Sequence, residues 1–121
     1  MSSCTIFIRH VSPSVCIEEL KSRAVHARLD IHPLVREKPG DKFCGLILGT
    51  HNFIRKKGRE DTVRPVLAFV ASTSVIVGVP NAAEGSVSSS MERFAALIDG
   101  FDAVFFDGNT MLDRTGKDLL A

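Results

Sequence analysis

The 121-residue sequence predicts an α+β domain: a five- to six-stranded antiparallel or mixed sheet with two helices packed on one face. Three observations predict it. Short runs rich in Val, Ile and Phe recur along the chain, as in TIFIRHV, TSVIVGVP and FDAVFFDG. Two further stretches space their apolar residues as a helix does. The links between the middle runs are of hairpin length, too short for parallel crossovers.

Residues 5–11 alternate as a strand, with Ile6, Ile8 and His10 on one side and Phe7, Arg9 and Val11 on the other. Ser12 and Pro13 then suit an N-cap and a first helical position. In the helix that follows, Ile17, Leu20, Ala24 and Ala27 form the apolar stripe. Residues 30–42 read as a connector broken by prolines and ending at the Pro39-Gly40 turn signal. FCGLILGT, residues 43–50, is a continuous apolar run and reads as a buried strand. HNFIRKKGRED reads as a long polar hairpin tip leading to two central strands, RPVLAFVAS and TSVIVGVP. Ser89 and Glu92 form a capping box for a second helix carrying Met91, Phe94, Ala95 and Ile98, which Gly100 ends. FDAVFFDG is the last long strand, and a short hairpin turns at Asp113–Lys117 with Gly116 in a left-handed conformation. The predicted order is β-α-β-β-β-α-β-β, one domain over residues 1–121 with no internal repeat.

Composition narrows the function classes. A net charge of +1 is not that of a dedicated nucleic-acid binder. Cys4, Cys16 and Cys44 are odd in number and form no CxxC, which fits reduced thiols better than a disulfide framework. The first residues lack a basic segment followed by a leader-length apolar run, and no stretch has the length of a membrane span. A soluble cytoplasmic protein is the expectation. His10, His26, His32 and His51 show no HxH or HExxH spacing, so no metal and no cofactor are expected.

Four motifs carry possible chemistry. Arg9-His10, at the end of an apolar strand, resembles the opening of the histidine phosphatase superfamily, in which the His is phosphorylated and the Arg holds the phosphate. Val11 stands where that family has Gly, and no His follows His51. AVFFDGNTMLD, residues 103–113, resembles the haloacid dehalogenase nucleophile motif and makes Asp107 a candidate. Phe105, however, occupies the position of one of that motif's two carboxylates. Gly85, Ser86, Ser88, Ser89 and Ser90, between a strand and a helix start, form a candidate anion-binding loop, although no Lys accompanies them. Arg55, Lys56, Lys57 and Arg59, with Arg64 beyond them, concentrate positive charge in a candidate loop suited to phosphate backbones or an acidic partner, with Glu60 and Asp61 directly after.

No catalytic constellation survives this reading, which leans away from an enzyme. The expected function is a small non-catalytic interaction protein of regulatory, inhibitor or immunity type. The apolar runs exceed what two helices can cover, so a homodimer packed through the sheet, or another protein partner on it, is expected. The alternatives are a small enzyme acting on a phosphorylated or anionic metabolite held by the 85–90 loop, and a nucleic-acid contact through residues 55–59.

Overall fold

A computed structural model describes residues 4–36, 42–80 and 94–121, the side chains of 42–44 aside. The Pro39-Gly40 turn, the Cys44 side chain, the Gly85–Ser90 loop and the Ser89–Glu92 capping box lie outside the described residues. The elements are β1 (Cys4–Arg9), α1 (Pro13–Ala27), β2 (His32–Val35), α2 (Lys42–Lys57), α3 (Glu60–Ala71), β3 (Thr73–Val79), β4 (Asp102–Phe106) and β5 (Met111–Leu112). A helical turn at residues 94–97 precedes β4.

The fold is α+β, with one five-stranded sheet in the order β2-β3-β1-β4-β5. Every neighbouring pair is antiparallel. β1 lies at the centre because its residues are apolar on both sides: Ile6, Phe7 and Ile8 retain no exposed surface. Strand alternation sends Ile6 and Ile8 into one core, with Val75, Val77 and Phe105, where Leu20 of α1 and Leu97 of the 94–97 turn cover them. It sends Phe7, Ile76 and Val104 into a second core, covered by Ile47 and Ile54 of α2 and by Val66 and Val70 of α3.

The helices therefore lie on both faces of the sheet, not on one. The difference comes from two apolar runs taken for strands. Residues 43–50 belong to α2 and residues 64–71 to α3, while the expected connector contributes β2. Short apolar runs fit a buried strand and a buried helix equally well. In α3 the burial of Val63, Val66, Phe69 and Val70 has helical spacing. Pro65 sits inside that helix and removes a backbone donor, at a typical cost of about 3 kcal/mol. Four buried apolar side chains, at ~1.5–3 kcal/mol each, offset it. The basic segment expected at a hairpin tip is the last turn of α2.

α1 begins where expected, with Ser12 in an extended conformation and Pro13 as its first residue. Arg28, in the left-handed region at φ 55°, ends it by donating its N–H back to the last turn. The terminal turn also follows expectation: Gly116 has φ 87°, and Asp113 accepts from the Thr115 and Lys117 amides.

Both sheet edges are blunted. Arg36 N donates to Ser74 O, so alternate amides of β2, those of Leu34 and His32, face β3 while Pro33 and Val35 face outward. Pro33 has no N–H to offer an incoming strand. On the opposite edge the chain folds back over β5, with Leu119 N donating to Met111 O.

α2 passes to α3 through Gly58 and Arg59 alone. A Cβ at Gly58 would lie 1.6 Å from Cγ2 and 3.1 Å from Cβ of Val63, a buried, branched side chain with little room to yield. Gly58→Ala is expected to lower unfolding free energy by about 1–3 kcal/mol in urea titration. Adding Val63→Ala should recover part of the loss; if the double variant is less stable than either single variant, the crowding account is wrong.

Candidate functional site

The sequence candidates separate when folded. Arg9 and His10 sit at one end of β1, where Arg9 is paired with Asp102 at the start of β4. Asp107 follows the other end of β4, roughly 17 Å away at a strand's rise per residue. They share no site.

At the Arg9 end, the guanidinium Nε lies 2.7 Å from Asp102 Oδ2 and its carbon 4.2 Å above the Phe69 ring. The sequence reading missed Asp102, because strand register brings it there across 93 positions of chain. His10 takes φ 58°, a left-handed conformation in which His is more common than most residues. This turns the chain out of the sheet and leaves Nδ1 3.6 Å from Asp102 Oδ2, too far for a hydrogen bond. Arg9 closes the strand end on α3, and the His10 side chain is 70% exposed. The arrangement is a cross-strand ion pair lying on an aromatic ring.

Asp107 is occupied by its own turn. Its Oδ1 accepts from the Asn109 and Thr110 amides at 2.8 and 2.7 Å, and its Oδ2 accepts from the Thr110 hydroxyl at 3.1 Å. Burial pulls this carboxyl upward, but those donors hold it below the ordinary aspartate value. A carboxylate so engaged is turn chemistry, not a nucleophile. Cys4 and Cys16 are buried. Burial, and then the charge of Asp107, push the Cys4 thiol up to about 12, so it is no thiolate near neutral pH. Among the described residues no group of three His, Cys, Asp or Glu side chains is placed to hold a metal. No helix among them is long and apolar enough to cross a membrane.

The basic residues lie where a helix favours them, since Arg55, Lys56 and Lys57 complement the negative end of the α2 dipole. Lys57 is committed: its ammonium donates to the Asn109 backbone carbonyl at 2.9 Å and to the Asn109 side-chain oxygen. Arg55, Lys56 and Arg59 are exposed and form no ion pair among the described residues. Arg55 also acts inward. Burial, opposed by the Leu67 carbonyl and reinforced by Arg55, lowers the pKa of His51, whose Nε2 is buried without a hydrogen-bond partner among the described residues.

The same helix carries a feature the sequence reading missed. Residues 45–49, Gly-Leu-Ile-Leu-Gly, have no polar side chain, yet only Ile47 is buried. Leu46 is 45% exposed and Leu48 62%. At Gly45 and Gly49 the space a Cβ would occupy has nothing within 4 Å among the described residues. Both glycines line a cleft of about 330 Å³ between α2 and the sheet, together with Leu46, Phe53, Phe7 and Phe106. The sequence signal was present in the apolar run itself, but helical phase is what exposes it.

No protein-family model, curated protein or solved structure matches this chain.

The Asp107 turn makes a checkable contribution to stability. Its folded pKa is depressed, so its stabilisation is complete above the ordinary aspartate value of about 4 and is lost as pH falls through the lower folded value. Asp107→Ala should cost about 1 kcal/mol at pH 7 and make the acid side of the stability profile shallower. Thermal melts from pH 7 to 2 test this; an unchanged acid limb in the variant would remove the carboxylate from that account.

Proposed function

We propose that this chain is a small non-catalytic binding protein and that its contact surface is the outer face of α2. The observation that carries this reading is the Gly-Leu-Ile-Leu-Gly run, which has the composition of a core segment while four of its five residues stay exposed. Interior helical glycines cost roughly 1 kcal/mol each relative to alanine, and no close contact among the described residues requires them here. A neighbouring chain approaching the helix backbone supplies such a reason. Burying two leucines in full is worth about 1.5–3 kcal/mol each. Val15 and Val25 are also exposed on α1, but as isolated residues ten positions apart, which is ordinary for a surface.

A sheet-face homodimer loses its physical motive, because helices cover both faces and Pro33 blunts the β2 edge. Arg55 and Lys56, in the last turn of α2 and without an ion pair among the described residues, favour instead a different protein that brings carboxylates. The small-enzyme alternative rested on residues 85–90, outside the described residues, and on Arg9, His10 and Asp107, which lie apart.

A photo-crosslinking phenylalanine analogue replacing Leu48 is expected to give one discrete adduct in cells, whereas the same analogue at Val25 gives none. Asn52→Asp, one turn along the same side of α2 as Leu48, should weaken that adduct. An adduct of twice the chain mass would restore the homodimer, and equal labelling from both positions would discard the α2 surface. A second test separates folding from binding. Gly45→Ala and Gly49→Ala should each raise stability by ~0.5–1 kcal/mol in chemical denaturation while weakening adduct formation. Stabilisation with undiminished adduct formation would remove the glycines from the interface.

A further inference from the structure

The corner between α2 and α3 holds a second cleft, of about 460 Å³, lined by Arg55, Gly58, Glu60, Val63, Arg64 and Leu67. We infer that this cleft is a carboxylate-recognition site for an acidic segment of the partner protein, an inference that rests on the proposed α2 contact surface.

The chemistry follows from the lining. Arg55 from α2 and Arg64 from α3 both line this one cleft. A guanidinium presents a planar fork of donors that matches a carboxylate in a bidentate pair. Arg55 has no ion-pair partner among the described residues. Arg64 has only Glu60, at 3.4 Å, with the two side chains 75% and 87% exposed. Exposed pairs of this kind contribute little, so an incoming carboxylate displaces Glu60 at small cost. Val63 and Leu67 supply an apolar wall for the methylene groups of a Glu side chain.

Spacing specifies the segment further. Leu48 and Arg55 are seven positions apart, two turns along one side of α2, or roughly 10 Å at a helical rise. A complementary helix then places an apolar residue and a carboxylate seven positions apart, and an extended strand places them about three apart. Nucleic acid fits less well. A phosphate backbone calls for a continued track of cations, but Glu60 and Asp61 interrupt this one and Lys57 is engaged with Asn109.

The test uses fluorescence anisotropy on the full chain at 0.15 M salt with three probes. These are a synthetic helical peptide with Leu and Glu seven residues apart, its Gln-for-Glu counterpart, and an oligothymidylate. The expected result is binding of the acidic peptide alone, weakened at least about tenfold by Arg55→Glu and by Arg64→Glu but not by Lys21→Glu on α1. Far-ultraviolet circular dichroism confirms that each variant folds. Equal binding of the Gln peptide, equal weakening by Lys21→Glu, preferential binding of the oligonucleotide, or no peptide binding at all would overturn the inference. Leu48→Asp separates it from the reading beneath. If Leu48→Asp abolishes binding while both arginine variants retain it, the α2 surface stands and the carboxylate site falls. If all three variants retain binding, the α2 surface falls as well.

Discussion

The rest of the structure depends on the double-sided burial of β1. Ile6, Phe7 and Ile8 are consecutive and fully enclosed, so strand alternation delivers apolar side chains to both faces at the same level of the sheet. A sheet with one wet face cannot accommodate that strand. Both faces need a roof, and the chain supplies two: α1 with the 94–97 turn on one side, α2 with α3 on the other. The neighbours of β1 share its character. Val75 and Val77 of β3 point one way and Ile76 the other, and β4 repeats this with Ala103, Phe105 and Val104. The outer strands β2 and β5 are short, and each is closed off locally.

The parts legible in the sequence were those governed by local rules. β1, α1, β3, β4 and the terminal turn each carry a signal decided within a few residues: alternation, a Ser-Pro helix start, a glycine at positive φ. The antiparallel α+β class followed from those elements. What was not legible depended on the roof. FCGLILGT and RPVLAFVAS have strand-like composition, and only the need to cover Phe7 and Ile76 from the second side makes them helices. The candidate chemistry failed for a related reason. Arg9 and His10 look poised because they end a strand, but register pairs Arg9 with Asp102, a residue with no local signal. Asp107 looked like a reactive carboxylate until three donors from its own turn accounted for it.

The misread run is also the most informative one. The run over residues 43–50 reads as a buried strand, and within it residues 45–49 have no polar side chain. Helical phase permits only Ile47 to meet the core, so the fold uses a fraction of the apolar surface this segment offers. At the other end of the same helix Arg55, Lys56 and Lys57 complement the helix dipole, and Lys57 is also held by Asn109.

The strand order has a consequence for how the chain is made. β1 leaves the ribosome first, yet its neighbours are β3, beginning at Thr73, and β4, beginning at Asp102. At ~5–20 residues per second, the most apolar strand waits several seconds without either partner. The sheet cannot close around its centre until β4 has been synthesised. During that interval TIFI is an unpaired, uncharged strand-forming segment, the kind that nascent-chain chaperones shield.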